Sequence, residues 1–319
     1  MNILIRAKFF LVDSALWLFW GPFRKIVKLL PLSTVYFLAK LTARVSYPFQ
    51  GNRLKRICEE LCRNCGKACS PREAGAIALS SLEIYFKRHF EHLFMGQLAK
   101  EDLERMVRIE GKENIDNALE LGKGVIIQVS HFGSFILMLP VLGFAGYRIN
   151  QLAGYPQLKH HSPIHKYVFN ANVRENESLP ITFLHVDKSI RPVINALKRN
   201  ELVAMALDGR DGKDWVTVPF LGRPANLSPG SIRIASLTGA AILPAFMVRQ
   251  PDDTHRLIIE KPFVLEQCED KQNFLTANMA RLAGIFGEYI SKYPDHFAMT
   301  LKVLEDRAAK GIVEIPLFN

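Results

Sequence analysis

The sequence has few cysteines, no long apolar run and too few acidic residues to balance its basic ones. Five of the 319 residues are cysteine, and Cys58, Cys62, Cys65 and Cys69 fall within one short stretch. That usage excludes a secreted disulfide framework and points to a reducing compartment. Hydrophobic residues make up 49% of the chain. Even so, no segment reaches the ~20 uninterrupted apolar residues that a membrane-crossing helix requires, so a polytopic membrane protein is excluded. Asp and Glu number 31 against 41 Lys and Arg, a formal net charge of +10, which calls for an anionic partner. Nucleic acid is not expected, because the basic residues are scattered and no RNP, zinc-finger or helix-turn-helix pattern accompanies them. An anionic membrane surface fits better.

The N-terminus is the most apolar and aromatic part of the chain, but Asp13, Arg24, Lys25, Lys28 and Lys40 interrupt it. Phe9 to Trp20 has the length of a signal-peptide core, yet Trp20-Gly21-Pro22-Phe23 comes after it instead of a small-residue cleavage site. Residues 1–50 read as a membrane-associated helical extension, with Trp17, Trp20 and Phe23 at headgroup level beside Arg24 and Lys25. The alternatives are a first helix pair buried on the domain that fills 51–319 and a tilted single span. The four clustered cysteines are spaced i, i+4, i+7 and i+11, one stripe of a helix, and such a stripe cannot converge on a tetrahedral ion. They predict a buried helix face that ends near Gly66 to Ala68. Ser70-Pro71-Arg72-Glu73 then predicts a new helix with Ser70 as N-cap, Pro71 at N1 and Glu73 closing a capping box. That helix would carry Ile77, Leu79, Leu82, Tyr85, Phe86, Phe90 and Phe94 toward the core.

From Arg108 onward the pattern alternates. Gly124 to Val129 is a short β-branched run, apolar enough for burial on both faces. Further strands are expected over 148–152, 181–186, 202–207, 241–248 and 256–260, with helices over 189–198, 228–237 and 273–293. Strands alternating with helices predict an α/β fold with a mixed, mostly parallel sheet flanked by helices.

His131 comes directly after the first of these strands, where open α/β sheets place reactive groups. Gly133, two residues later, permits close approach of backbone or substrate. A histidine there can take a proton from an attacking hydroxyl or amine and return it to a leaving thiolate; the bland alternative is a histidine that caps the strand end with a satisfied hydrogen bond. Backbone N–H groups at the helix start after Gly133 would meet the developing carbonyl charge. Arg148, Arg210, Arg223, Arg233 and Arg249 fall near the ends of predicted loops and could meet phosphates, with a solvated basic surface as the alternative. The tract Lys159-His160-His161-Ser162-Pro163-Ile164-His165 superficially resembles a metal patch, but adjacent histidines point apart and no acid is nearby, so no metal site is expected.

Several segments together carry a family resemblance: the strand-His131 unit, Asp208-Gly209-Arg210-Asp211-Gly212, Pro219-Phe220-Leu221-Gly222, Pro229-Gly230 and Thr238-Gly239-Ala240 to Pro244. In order and spacing the chain resembles the late acyltransferases of lipid A biosynthesis, a branch of the lysophospholipid acyltransferase superfamily. The likeness runs over roughly residues 10–300 and is strongest over 201–249. It implies transfer of an acyl group from an acyl carrier protein or coenzyme A thioester to a membrane lipid hydroxyl, at the cytoplasmic face of the inner membrane, without a bound cofactor. It also implies His131 as the active base, with Gly133, Arg210, Phe220, Gly222 and Arg249 bordering the substrates along a wall from Asp208 to Gly222.

The sequence departs from the family at one point. The family's histidine belongs to H-x4-D/E, and here Ile136 stands where the acid should be, with no other acid in that helix. Loss of an orienting carboxylate costs on the order of 10⁴ in turnover in a serine–histidine–aspartate triad. Either Asp208 or Asp211 supplies the carboxylate from another loop, or Ser134 orients the ring through its hydroxyl. Otherwise an amine acceptor or an aminoacyl thioester asks less of the base, or the chain binds lipid or carrier without turnover. A literal H-x4-E at His255 to Glu260 lies on a strand, where positions five apart point to opposite faces.

Overall fold

The computed structural model describes residues 13–64, 66, 69–153, 164, 166–168, 170, 178–185, 189–210 and 212–318. A helical lead-in over 13–27, with a π-helical turn at Phe19–Phe23, precedes α1 (Leu32–Asn64) and α2 (Pro71–Phe94). Next along the chain come the helices α3 (Lys100–Met106), α4 (Lys112–Glu120), α5 (Met138–Phe144), α6 (Arg191–Lys198), α7 (Gly230–Thr238), α8 (Lys271–Lys292) and α9 (Ala298–Ala309). The strands are β1 (Val107–Glu110), β2 (Val125–Val129), β3 (Ile149–Ala153), β4 (Ile181–His185), β5 (Leu202–Ala206), β6 (Val216–Phe220), β7 (Arg223–Leu227), β8 (Ala241–Arg249) and β9 (His255–Ile259).

Seven strands form one sheet in the order β1-β9-β8-β2-β5-β3-β4, and only the β8–β9 pair is antiparallel. This is the expected α/β architecture. Side-chain alternation splits the core into two faces. Ile126 and Val203 pack with α1, α2, α6, α7 and α8, whereas Val125, Ile127, Leu202 and Ala204 pack with α3, α4 and α5. β2 lies in the middle of the sheet, so the turn beyond its carboxyl end is positioned from both sides.

α1 and α2 form an antiparallel pair, since Tyr36 reaches Glu91 and Tyr47 reaches the Gly75 carbonyl. The Ser70 capping box forms as expected: Ser70 Oγ accepts the Glu73 N–H at 3.3 Å, and Glu73 Oε2 accepts the Ser70 N–H at 2.8 Å. Residue 50 falls inside the continuous helix α1. Two other expectations are corrected by the structure. α1 stops at Asn64, so Cys58 and Cys62 are buried on it while Cys69 lies past its end, and Cys65 is outside the described residues. Burial, aided by its cysteine neighbours, pushes the Cys58 thiol up to about 12, which suits a core side chain and not a ligand.

Lastly, Arg24 is not at an open surface. It is buried and its Nε donates to the Leu93 carbonyl at 3.1 Å, while Phe23 meets Phe90 edge-on at 5.7 Å and Trp20 meets His92 at 5.3 Å. Trp17, Leu18, Ile26 and Leu29 face outward instead. Among the described residues no helix is long and apolar enough to cross a membrane.

The hairpin β6–β7 is not among the expected strands. Its two-residue turn, Leu221-Gly222, has both φ values positive, +51° and +73°, the geometry of the tight turn that matches strand twist.

Candidate active site

Parallel register builds the site. β2 and β5 are neighbours, and Val129 pairs with Ala206. His131 and Asp208 each stand two residues beyond that pair, so the two strands deliver them to the same edge. The His131 Nδ1 lies 3.0 Å from Asp208 Oδ1, and the His131 backbone N–H donates to both carboxylate oxygens at 3.2 and 3.1 Å. Asp208 is 1% exposed, whereas 44% of the His131 side chain is exposed. Burial alone would raise the Asp208 pKa. The charge of His131 and the hydrogen bonds from its ring and backbone outweigh that and hold the carboxylate below its ordinary value of 3.8. An ionised Asp208 accepts from Nδ1–H, which leaves Nε2 as the ring's lone-pair nitrogen. No bond to Nε2 is present among the described residues.

The turn after His131 is held by backbone and side chains together. Gly133 has φ +58°, and a Cβ there would run into the Met247 carbonyl, so only glycine fits. Its N–H donates to the His296 carbonyl at 2.9 Å, and its own carbonyl accepts from Arg88 Nη1 at 3.2 Å. The Thr300 hydroxyl donates to the His131 carbonyl at 2.6 Å. Phe135, at the start of the next helical turn, stands edge-on to the His131 ring at 4.7 Å.

The other expected site residues take different places. Ser134 does not orient His131: its Oγ accepts from Arg249 Nη2 at 2.6 Å and is fully buried. Arg249 does not open to a substrate either. It forms a buried ion pair with Glu91, which also accepts from the Tyr36 hydroxyl at 2.8 Å, beneath the Gly133 turn. Arg210 donates to the carbonyls of Asp208, Gly209 and Asn226 and stacks on Trp215 at 4.5 Å, bracing the loop that carries Asp208. Phe220 is buried in the hairpin between Phe297 and Phe318, and Gly222 packs on Asn64 of α1. Neither bonds to nor stacks on His131 among the described residues.

Arg148, Arg223 and Arg233 pair with Glu201, Glu60 and Asp214. His255 and Glu260 stay apart, His255 buried beside Glu91 and Glu260 accepting from Tyr289. Asp211, and the histidines of the 159–165 tract, are outside the described residues. No cluster of metal-ligating side chains occurs among the described residues.

Sequence reasoning missed Arg88, Glu91 and the pair Asp295–His296. A signal for Glu91 was there: Ile84, Lys87, Glu91 and Phe94 recur at the spacing of one helix face, and charges on an apolar stripe mark buried polar work.

A sheet covered by helices on both faces, with a histidine and a buried carboxylate at its carboxyl edge, defines a class of α/β protein with a preformed reactive corner. The chain belongs to the bacterial lipid A biosynthesis acyltransferase family, whose profile matches residues 7–305. No curated protein matches the sequence.

Proposed function

We propose that this protein is an acyltransferase working at a membrane surface, with His131 as base and then acid and Asp208 as the carboxylate that orients it. An acceptor hydroxyl of a (glyco)lipid gives its proton to His131 Nε2 as its oxygen attacks the thioester carbonyl of acyl carrier protein or coenzyme A. The tetrahedral intermediate collapses, the C–S bond breaks, and the imidazolium returns the proton to the departing thiolate. The helical turn from Phe135 leaves its first N–H groups without intrahelical partners, a donor set for the transient oxyanion. The observation that carries this reading is the 3.0 Å contact from Nδ1 to an ionised, buried Asp208 beneath a half-exposed ring. It replaces the acid absent at Ile136 with one from the adjacent strand.

Membrane docking is part of the proposal. Phe37, Leu41, Val45 and Phe49 are exposed at four-residue spacing along α1, continued by Leu29 and Ile26. An exposed apolar row of this kind, on a chain of net charge +10, suits an anionic bilayer interface.

The test is acyl transfer from a carrier-protein thioester to lipid by wild type and His131→Ala. The expected loss is about 10²–10⁴-fold. Unchanged transfer by the variant would remove His131 from the chemistry, and a wild type silent with every thioester would favour a binding protein.

A further inference from the structure

Arg88 is a cation beside the site that has no counter-ion among the described residues. It stands on α2, half-buried, with Nη1 on the Gly133 carbonyl. Its guanidinium lies 4.8 Å from the centre of the Phe135 ring and 5.4 Å from that of Tyr85. The same Phe135 ring abuts His131, so Arg88 and the dyad border one aromatic side chain. Burial pushes the Arg88 pKa down to about 10, which leaves it charged at neutral pH.

Asp208 and Glu91, whose charges favour the ionised Arg88, are committed elsewhere. Asp208 is bonded to His131, and Glu91, three residues along α2, is bonded to Arg249 and Tyr36. No carboxylate among the described residues lies within ion-pair distance of Arg88. The neighbouring buried cations are unlike it: Lys87 pairs with Asp253, and Arg249 with Glu91 and Asp253. A partly desolvated guanidinium without a counter-ion is costly. The Gly133 carbonyl and two nearby rings hold it in place, and a fixed guanidinium suits a phosphate that takes paired N–H bonds.

We infer that Arg88 binds a phosphate of a substrate beside His131. The phosphate belongs either to a phosphorylated acceptor lipid or to the phosphopantetheine arm of the thioester donor. The inference rests on the acyl-transfer reading for calling that ligand a substrate, and its test reads binding without turnover.

Full-length wild type, Arg88→Gln, Arg88→Lys and Arg72→Gln are compared. Arg72 is exposed near the start of the same helix, so its variant controls for loss of net charge. The probes are neutral phosphatidylcholine vesicles carrying a phosphorylated glycolipid, the same vesicles carrying its dephosphorylated form, and coenzyme A in solution. The expected result is a loss of about tenfold or more in Arg88→Gln for one phosphate probe. Arg88→Lys should lose less, and binding of the dephosphorylated vesicles should be unchanged throughout. Loss confined to the phosphorylated vesicles assigns the site to the acceptor, and loss confined to coenzyme A assigns it to the donor. If Arg88→Gln fails to fold, weaker phosphate binding by Arg88→Lys than by wild type decides in favour. Equal binding by wild type and the Arg88 variants, an equal loss in Arg72→Gln, or a wild type that binds neither phosphate probe overturns the inference. A wild type that transfers nothing yet needs Arg88 to hold phosphate supports the site while ending the transfer reading.

Discussion

Two imidazole–carboxylate pairs flank the Gly133 turn, and they differ in one respect that decides what each can do. His296 is buried, its Nδ1 lies 2.8 Å from Asp295, and its Nε2 accepts the Arg249 backbone N–H at 3.0 Å. Both nitrogens are used, so the ring is a strut; its carbonyl also takes the Gly133 N–H and its face stacks on Phe132 at 5.1 Å. His131 has the same kind of partner on Nδ1, but Nε2 has no bond among the described residues and the ring is half-exposed. A carboxylate partner alone does not make a base. An accessible second nitrogen does.

The comparison breaks most sharply in the paired alanine variants. His131→Ala should lose about 10²–10⁴-fold in transfer and lower the melting temperature less than His296→Ala does, because the residue-131 backbone N–H still donates to the buried Asp208. Should it unfold the protein instead, the two histidines would be alike. Next in size is Arg249→Met, which strands the buried Glu91 carboxylate and should destabilise by about 3–5 kcal/mol in denaturant titration. His296→Ala should cost about 1–3 kcal/mol by leaving the Arg249 N–H and Asp295 unsatisfied, and any activity loss should track the unfolded fraction.

The smallest effect is in pH. Asp208 and Asp295 are both held below the ordinary value of 3.8: in each, burial pulls upward and the paired ring outweighs it. A depressed carboxylate contributes stability that is present above its unfolded pKa and lost as pH falls through the folded one. Asp208→Asn and Asp295→Asn should therefore each flatten the fall in stability below pH 3.8. An unaltered acid limb in both variants would contradict the pairing.

Local pattern made much of this legible. The β-branched run before His131, the Ser70-Pro71-Glu73 start of α2 and the alternation of strands and helices depend on near neighbours in sequence, and all three stand in the structure. What meets His131 was open to three answers, because the contact to Asp208 spans 77 residues and depends on strand register. Nothing near His131 encodes that register. Arg249 and Arg210 looked like phosphate ligands by charge and by position at strand ends; their partners come from α2, the Gly133 turn and the hairpin. Side-chain direction, which sequence does not carry, turned them inward.

The turnover of Asp208→Asn on folded protein tests the central claim most directly. The substitution keeps the shape and removes the charge that fixes the His131 tautomer. Transfer should fall by up to about 10⁴-fold in protein that is still folded at the assay temperature. A folded Asp208→Asn protein that transfers acyl groups as fast as wild type would show that the adjacent-strand aspartate does not stand in for the acid missing at Ile136.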